Sequence, residues 1–301
     1  MKLKWFGTAT ILLEQDGVQL LFDPFLPTND KAFKPSIDEL AAAKSILVTH
    51  GHLDHIADIP AILKHGGGGY SDCGVYNDGT GKHAGDDENC DNETAVYCTE
   101  TPRKTLIAKG VVSERICIIK PGDILHFPPF EVRVLKGKHI KFDKWRIIQT
   151  IVNPRIIRYW RNLIHMLGEN RLCAESGETV VYDISAKGER ILLMGSLNLD
   201  DDTEYPKGVD MLILPFQGRS DIAEYSMQFV ERLRPKKVLL DHFDDTFPPI
   251  SSHVDTGRFI KSMQRDFPAV PVIYRPAGPE WIVCNDERSQ EKPGRSKRLS
   301  I

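Results

Sequence analysis

Residues 45–55 read Ser45-Ile-Leu-Val-Thr-His-Gly-His-Leu-Asp-His55 and join a short apolar run to a dense group of polar side chains. The apolar part predicts a short buried strand. The metal-capable side chains that follow it are His50, His52, Asp54 and His55. Imidazole and carboxylate groups suit zinc and related divalent ions, and a turn at a strand end can direct alternate side chains into one cleft. The segment therefore predicts a metal site, in which His50 and His52 share one ion while Asp54 and His55 reach a second. The alternative is a solvated polar turn that caps the next helix.

The run His50-Gly51-His52-Leu53-Asp54-His55 resembles the H-x-H-x-D-H signature of the metallo-β-lactamase fold, a superfamily dominated by metal-dependent hydrolases. The opening Trp5-Phe6-Gly7-Thr8-Ala9-Thr10 and the later Leu20-Leu21-Phe22-Asp23-Pro24 are similar to the branch that contains the ascorbate-phosphate lactonases. The resemblance implies an α/β (α+β) fold, a four-layer αβ/βα sandwich with the metals at one end of its two sheets.

Two further histidines follow predicted strands, and the resemblance implies that both bind metal. His139 comes after the apolar alternation that begins at Val132, where the family places the third histidine of its first ion. His242 comes after the strand predicted at Lys237 to Asp241, where the family places the last histidine of its second ion. A lone histidine is more often structural, so these two assignments depend on the upstream motif.

One position departs from the family. Most members carry Gly-Asp at the end of the strand predicted at Arg190 to Met194, and that carboxylate bridges both metals, whereas this chain has Gly195-Ser196. A hydroxyl is a poor bridge because it stays protonated and neutral. Either an aspartate of the run Asp200 to Asp202 replaces the bridge, or the second ion binds weakly. That acidic run is otherwise a plain solvated loop.

The function implied is a zinc-dependent hydrolase acting on an ester, lactone, amide or phosphodiester, with one or two ions and with manganese, nickel or iron as alternatives to zinc. Asp54 is the expected catalytic residue, because it would accept the proton of the attacking water. The rival interpretation is a catalytically weak metal-binding or interaction protein on the same fold, since Ser196 removes the bridge. Oxygen or nitric-oxide reduction at a di-iron centre ranks last, because that branch typically has Glu at the position of His52.

The composition of the chain limits the partners and the cellular location that we expect. The chain has 301 residues, of which 41% are hydrophobic and 27% charged, with a formal net charge of -3. These values are typical of a globular protein and give no global attraction to nucleic acid or to an anionic membrane, although local patches stay open. The chain shows no apolar stretch long enough for a signal peptide or a membrane span, and its six cysteines have no C-x-x-C pairing. We expect a cytoplasmic protein with a small-molecule substrate and without membrane or nucleic-acid partners.

The predicted organisation is one hydrolase domain over residues 1–285, with insertions at about 65–93 and 143–175 and a flexible tail at 286–301. The first insertion is rich in Gly, Asp and Asn and reads as a mobile loop. A structural zinc site is the alternative there, and its candidate ligands are Cys73, His83, Cys90 and Cys98.

The second insertion predicts a helix that begins after Asn153-Pro154 and stops at Gly168. Its arginines at 155, 158 and 161 form a solvated face or, alternatively, a lid that presents guanidinium groups to an anionic substrate. Two smaller alternatives also stay open. Asp23 either caps a turn or bonds to a metal-binding histidine, and Gln217 to Ser220 either cap a helix or hold an anion.

Overall fold

Strands rich in Leu, Ile and Val assemble into two seven-stranded sheets. The computed structural model describes residues 1–66, 94–141, 153–170, 173 and 178–284. All statements on the structure concern these residues.

The first sheet is built around the segment that precedes the histidines. Its antiparallel part contains β1 (Lys2–Trp5), β2 (Ile11–Gln15) and β3 (Val18–Phe22). Its parallel part continues through β4 (Ser45–Leu47), β5 (Ala95–Cys98) and β6 (Ile116–Ile118). At the other edge, β14 (Ile282–Val283) pairs antiparallel with β1.

The second sheet repeats this plan. Its antiparallel part runs through β7 (Ile124–Phe127), β8 (Phe130–Gly137), β9 (Thr179–Ala186) and β10 (Glu189–Met194). Its parallel part adds β11 (Met211–Pro215), β12 (Val238–Asp241) and β13 (Val272–Ile273). Strands of a parallel run end at the same edge of a sheet, so each half presents a row of strand ends to one side.

Helices cover both sheets. Beside the first sheet lie α1 (Ile37–Ala41), α2 (Leu53–Ile56), α3 (Ile59–His65) and α4 (Glu100–Ala108). The segment predicted as the second insertion contains α5 (Arg155–Arg158) and α6 (Trp160–Asn170). Beside the second sheet lie α7 (Ile222–Leu233) and α8 (Gly257–Asp266). None of the helices in these ranges has both the length and the apolar character needed to cross a bilayer.

The buried apolar residues form two clusters that define the layers. The larger cluster joins the facing sides of the two sheets and extends to α7 and α8, with Trp5, Phe22 and Tyr182 among its fully buried rings. The smaller cluster fills the space between the first sheet and its helices. The order is therefore helix, sheet, sheet, helix, which confirms the predicted four-layer sandwich.

The predicted positions of strands and helices were correct for most elements. Two details of the helix predicted after Asn153-Pro154 were wrong. The helix of the second insertion is interrupted at Tyr159, which leaves the helical region with φ -111° and ψ 27°. It also continues through Gly168 to Asn170 instead of stopping there, since an isolated glycine costs a helix only about 1 kcal/mol. Most of the predicted first insertion, parts of the second and the predicted tail lie outside the described residues, as do Cys73, His83 and Cys90.

Candidate metal centre

Three strand ends bring the six predicted ligands together. The segment after β4 carries four of them, His139 lies two residues after β8, and His242 follows β12 directly. They form two groups, His50 with His52 and His139, and Asp54 with His55 and His242. Within each group the candidate ligand atoms all lie within 4.8 Å of one another. The rings of His50 and His55 are 4.0 Å apart between centroids, so the two groups are neighbours.

Two imidazoles of the first group, those of His50 and His139, are held neutral. His50 Nε2 lies 3.0 Å from His52 Nδ1, and the ring centroids of His52 and His139 are 4.5 Å apart. Burial, followed by the charges that neighbouring histidines would carry, holds the pKa of His50 well below its usual value. The same two causes lower the pKa of His139 to about 4. Near neutral pH these rings therefore keep the lone pairs that a metal requires.

Hydrogen bonds on the far side of two rings fix which nitrogen carries the lone pair. His139 Nδ1 donates to the backbone oxygen of Ile140 over 2.8 Å. His55 Nδ1 lies 2.9 Å from Asp23 Oδ2 and donates to that carboxylate. In both rings the proton sits on Nδ1, so Nε2 is the nitrogen that presents a lone pair to the cleft.

The second group is arranged around one carboxylate oxygen. Asp54 Oδ2 lies 3.2 Å from His242 Nε2 and 3.9 Å from His55 Nε2. Burial by itself would raise the pKa of Asp54, but the positive charge that His55 carries when protonated and the hydrogen bond from His242 outweigh it and hold the pKa below its usual range. The pKa of His242 rises to about 9, because the bond to Asp54 overcomes the opposing effect of burial. A cation in this group would displace the His242 proton and take over its role of neutralising Asp54.

The buried carboxylate of Asp23 supports the histidine motif through hydrogen bonds. Its side chain is fully buried and accepts from the Thr49 backbone amide at 2.8 Å and from Thr49 Oγ1 at 2.6 Å, besides the bond from His55. Thr49 Oγ1 in turn lies 3.0 Å from His50 Nδ1. Of the two roles left open by the sequence, the structure shows the bond to a motif histidine.

A turn near the N-terminus supports His242, and the sequence reasoning missed it. The Thr8 backbone oxygen accepts from the His242 amide at 3.0 Å, while the Thr8 amide donates to both carboxylate oxygens of Asp244 at 3.1 Å. Gly7 permits this approach, since its φ is +108° and a Cβ there would lie 2.6 Å from Asp244 Oδ2. The Gly-Thr pair was noted for its resemblance only, and nothing in its spacing pointed to a partner more than 230 residues away.

Ser196, which stands where the resemblance predicted a bridging aspartate, holds a loop in place. Its hydroxyl accepts from the Ile140 amide at 3.0 Å, directly after His139, and its side chain is buried. The preceding Gly195 is required because a Cβ there would lie 2.1 Å from Thr49 Cβ. The end of β10 therefore touches the motif through a glycine and fixes the His139 loop through a serine.

The acidic run from Asp200 to Asp202 follows Ser196, and two of its side chains form ion pairs with lysines outside the metal-capable groups. Asp200 is buried and pairs with the Nζ atoms of Lys136 and Lys138 at 3.2 and 3.5 Å, and Asp201 pairs with Lys138 at 2.8 Å. Within the described ranges, neither metal-capable group contains Asp200, Asp201 or Asp202.

The segment predicted as the second insertion lies beside the centre. Helix α6 contacts α2, which carries Asp54 and His55. Arg155 bonds to Asp245 Oδ2 at 2.5 Å and to the Ser251 backbone oxygen at 3.3 Å, so it ties the insertion to the loop after His242. Arg155 therefore has a structural partner, whereas Arg158 and Arg161 are exposed.

At the start of α7, the segment from Gln217 to Ser220 had two possible roles. Arg219 pairs with Asp221 over two bonds of 2.6 and 2.8 Å. Asp221 is the N-cap residue of α7 but makes no capping hydrogen bond with its side chain, so the described contacts show an Arg219–Asp221 ion pair and neither of the two predicted roles.

Comparison with known proteins places the chain in a family. Over residues 2–242 it matches the profile described as beta-lactamase superfamily domain. A UPF0173 metal-dependent hydrolase from Methylocella silvestris is 49% identical over 65 residues, which is 21% of this chain and 28% of that relative. A second protein of that name, from a Chelativorans species, is 27% identical over 169 residues, covering 52% of this chain and 70% of the relative.

The aligned region thus spans less than a third of the length of the first of these relatives. Among solved structures, a metallo hydrolase from the hyperthermophilic archaeon Ignicoccus hospitalis superposes with a TM-score of 0.57 at 18% identity. That superposition covers 94% of this chain and 98% of the archaeal one, so it supports the fold. On the match over residues 2–242, the chain belongs to the family described as beta-lactamase superfamily domain.

Proposed function

We propose that this protein is a metal-dependent hydrolase in which the two groups of the candidate centre bind divalent ions. The observation that carries the proposal is the convergence of six metal-capable side chains from three strand ends, with the ligand atoms of each group within 4.8 Å. Both relatives are named metal-dependent hydrolases, which supports the same class.

The donor set suits such ions. His50 and His139 have lowered pKa values and remain neutral, and the bonds of His139 and His55 direct their Nε2 lone pairs into the cleft. His242 Nε2 lies 3.2 Å from Asp54 Oδ2, so a nitrogen and a carboxylate oxygen of the second group are close enough to share one ion. Nitrogen and carboxylate donors together favour zinc, with manganese, nickel or iron as alternatives.

Each group has a defined part in this proposal. His50, His52 and His139 hold one ion, and Asp54, His55 and His242 hold the other. Bound ions of this kind lower the pKa of a water toward neutrality and polarise the bond under attack. Asp54 is the proposed catalytic residue, because the carboxylate of the second group would orient the attacking water and accept its proton.

The substrate is proposed as a small molecule with an ester, lactone, amide or phosphodiester bond. The lactonase-like branch stays a prediction drawn from the residues near the N-terminus. A cytoplasmic location is also proposed, and it is supported by the free thiols at Cys98, Cys117 and Cys284.

Metal analysis of the freshly purified protein tests the centre directly. We expect a divalent metal in the native protein and its loss in the double variant His50→Ala/His52→Ala, measured by mass spectrometry of the metal content. The control is His65→Ala, which removes a surface histidine paired with Asp38. Unchanged metal content in the double variant would refute the proposed centre.

Ser196 supports a second candidate, a weakly catalytic metal-binding protein. Without a bridging carboxylate, the repulsion between two divalent cations is less compensated, so we expect less than one equivalent in the second group. In Ser196→Asp, tighter binding of the second ion and faster hydrolysis across a panel of lactone, phosphodiester and amide substrates would favour the enzyme. No hydrolysis by either protein would favour the binding protein. Ser196→Ala is the control, since it removes the bond to Ile140 without adding a charge.

A further inference from the structure

Four large apolar side chains on α5 and α6 are exposed. The exposed fractions are 82% for Ile157, 52% for Trp160, 61% for Ile164 and 54% for Leu167. They are three or four residues apart and therefore share one side of the helical segment, here called the outer apolar face. Backbone bonds from Tyr159 to Arg155 and from Leu163 to Tyr159 carry the helical course across the break between the two helices.

The opposite side of the segment is already packed. Met166, two residues after Ile164, is 3% exposed and belongs to the cluster that fills the space beside the first sheet, together with Leu53 of α2. The segment is thus apolar on both sides, although surface helices normally turn a polar side to water. Four neighbouring large apolar side chains that are each more than half exposed on a folded protein indicate an interaction surface.

The rim of the outer apolar face is basic. Arg158 and Arg161 are exposed and lie over the rings of Tyr159 and Trp160, at 5.7 and 5.5 Å from the ring centroids. Residues 153–170 contain three arginines and one glutamate, whereas the whole chain has a net charge of -3. The face therefore combines apolar and aromatic groups with local positive charge on an acidic protein.

We propose that the outer apolar face binds the surface of an anionic phospholipid bilayer. Helices that lie in a bilayer interface present Trp, Ile or Leu to the acyl boundary and Arg to the lipid phosphates. A second copy of the chain is a poorer occupant, because pairing this segment with itself would bring the two arginine rims together. The proposal is independent of the metal and of hydrolysis, and it revises the expectation, based on net charge, that no membrane takes part. Through α6 and α2 the candidate centre would then lie close to the lipid surface.

Vesicle co-sedimentation of the full chain tests the proposal. The vesicles contain about three parts phosphatidylcholine to one part phosphatidylglycerol, and pure phosphatidylcholine vesicles serve for comparison. We expect binding to the anionic vesicles that weakens as salt is added. The variant Trp160→Ser/Ile164→Ser should bind at least about tenfold less. The matched control is Ile118→Ser/Ile124→Ser, since those side chains are 50% and 47% exposed on other elements.

Charge reversal separates the basic rim from the apolar stripe. Arg158→Glu/Arg161→Glu should lose binding to anionic vesicles, whereas Lys104→Glu/Arg258→Glu, which changes exposed cations elsewhere, should keep it. Circular dichroism confirms that each surface variant is folded. The proposal is overturned if the native chain stays in the supernatant with anionic vesicles, or if the Trp160 variant sediments like the native chain. It is also overturned if sedimentation velocity without lipid shows a dimer that this variant abolishes.

Discussion

Replacing Asp23 with Asn changes the metal centre without touching a candidate ligand. The carboxylate accepts three hydrogen bonds, two from Thr49 and one from His55 Nδ1. Asparagine has the same shape, and its oxygen can still accept the Thr49 amide. Its NH2 group replaces the oxygen that faces His55, so two donors would meet there. The pocket relieves this conflict when the His55 proton moves to Nε2, which removes the lone pair directed into the cleft.

The expected cost is a loss of affinity at the second group. Changing the partner of a metal-binding histidine typically lowers metal affinity about 10- to 100-fold, which corresponds to about 1.4–2.8 kcal/mol. Calorimetric zinc titration of the metal-free protein, in competition with a chelator, measures this change. We expect the affinity of the first group to change much less, because the Asp23 carboxylate reaches His50 only through Thr49.

Asp38→Asn is the matched control. Asp38 pairs with His65 at 2.5 Å, but this pair lies on the surface, with side chains that are 83% and 43% exposed. Exposed pairs contribute about 0–1 kcal/mol, so this variant should keep native affinity and stability. Native zinc affinity in Asp23→Asn would refute the reasoning that the carboxylate fixes the His55 proton.

Three other changes test the packing around the centre. Gly195→Ala should lower stability by about 1–3 kcal/mol and Tm by about 2–4 °C per kcal/mol, because the new Cβ overlaps Thr49; an unchanged melting curve would contradict the close approach. Tyr182→Phe removes a buried 2.6 Å bond to the Val48 oxygen and should cost about 0.5–1.5 kcal/mol in denaturant unfolding, so an unchanged midpoint would count against that bond. Burial raises the pKa of the Cys98 thiol to about 12, so alkylation at about pH 8 should label it only in unfolded protein, and rapid native labelling would show that it is accessible.

The sequence allowed the fold and the candidate ligands to be predicted because their signals are local. A strand of apolar residues followed by closely spaced histidines can be read within eleven residues, and the resemblance then located His139 and His242 by chain order. The supporting contacts could not be read in this way. Thr8 with Asp244, and Ser196 with Ile140, are pairs that only the packing of the two sheets brings together.

The outer apolar face shows the same limit. Its periodicity predicted a helix, but the pattern does not reveal which apolar side is buried. Met166 and Ile164 differ little in hydrophobicity, yet one is 3% exposed and the other 61%. Only the packing of α6 against α2 decides which of these two side chains is buried.

The centre also links metal binding to the assembly of the whole chain. Asp54 and His242 are 188 residues apart and come from different sheets, so the second group exists only when both halves have folded and docked. An unfolded chain lacks this arrangement, and an ion that binds only the folded state stabilises it by about 4 kcal/mol at a thousand times its Kd. Metal supply would therefore set the lifetime and abundance of the folded protein as well as its chemistry.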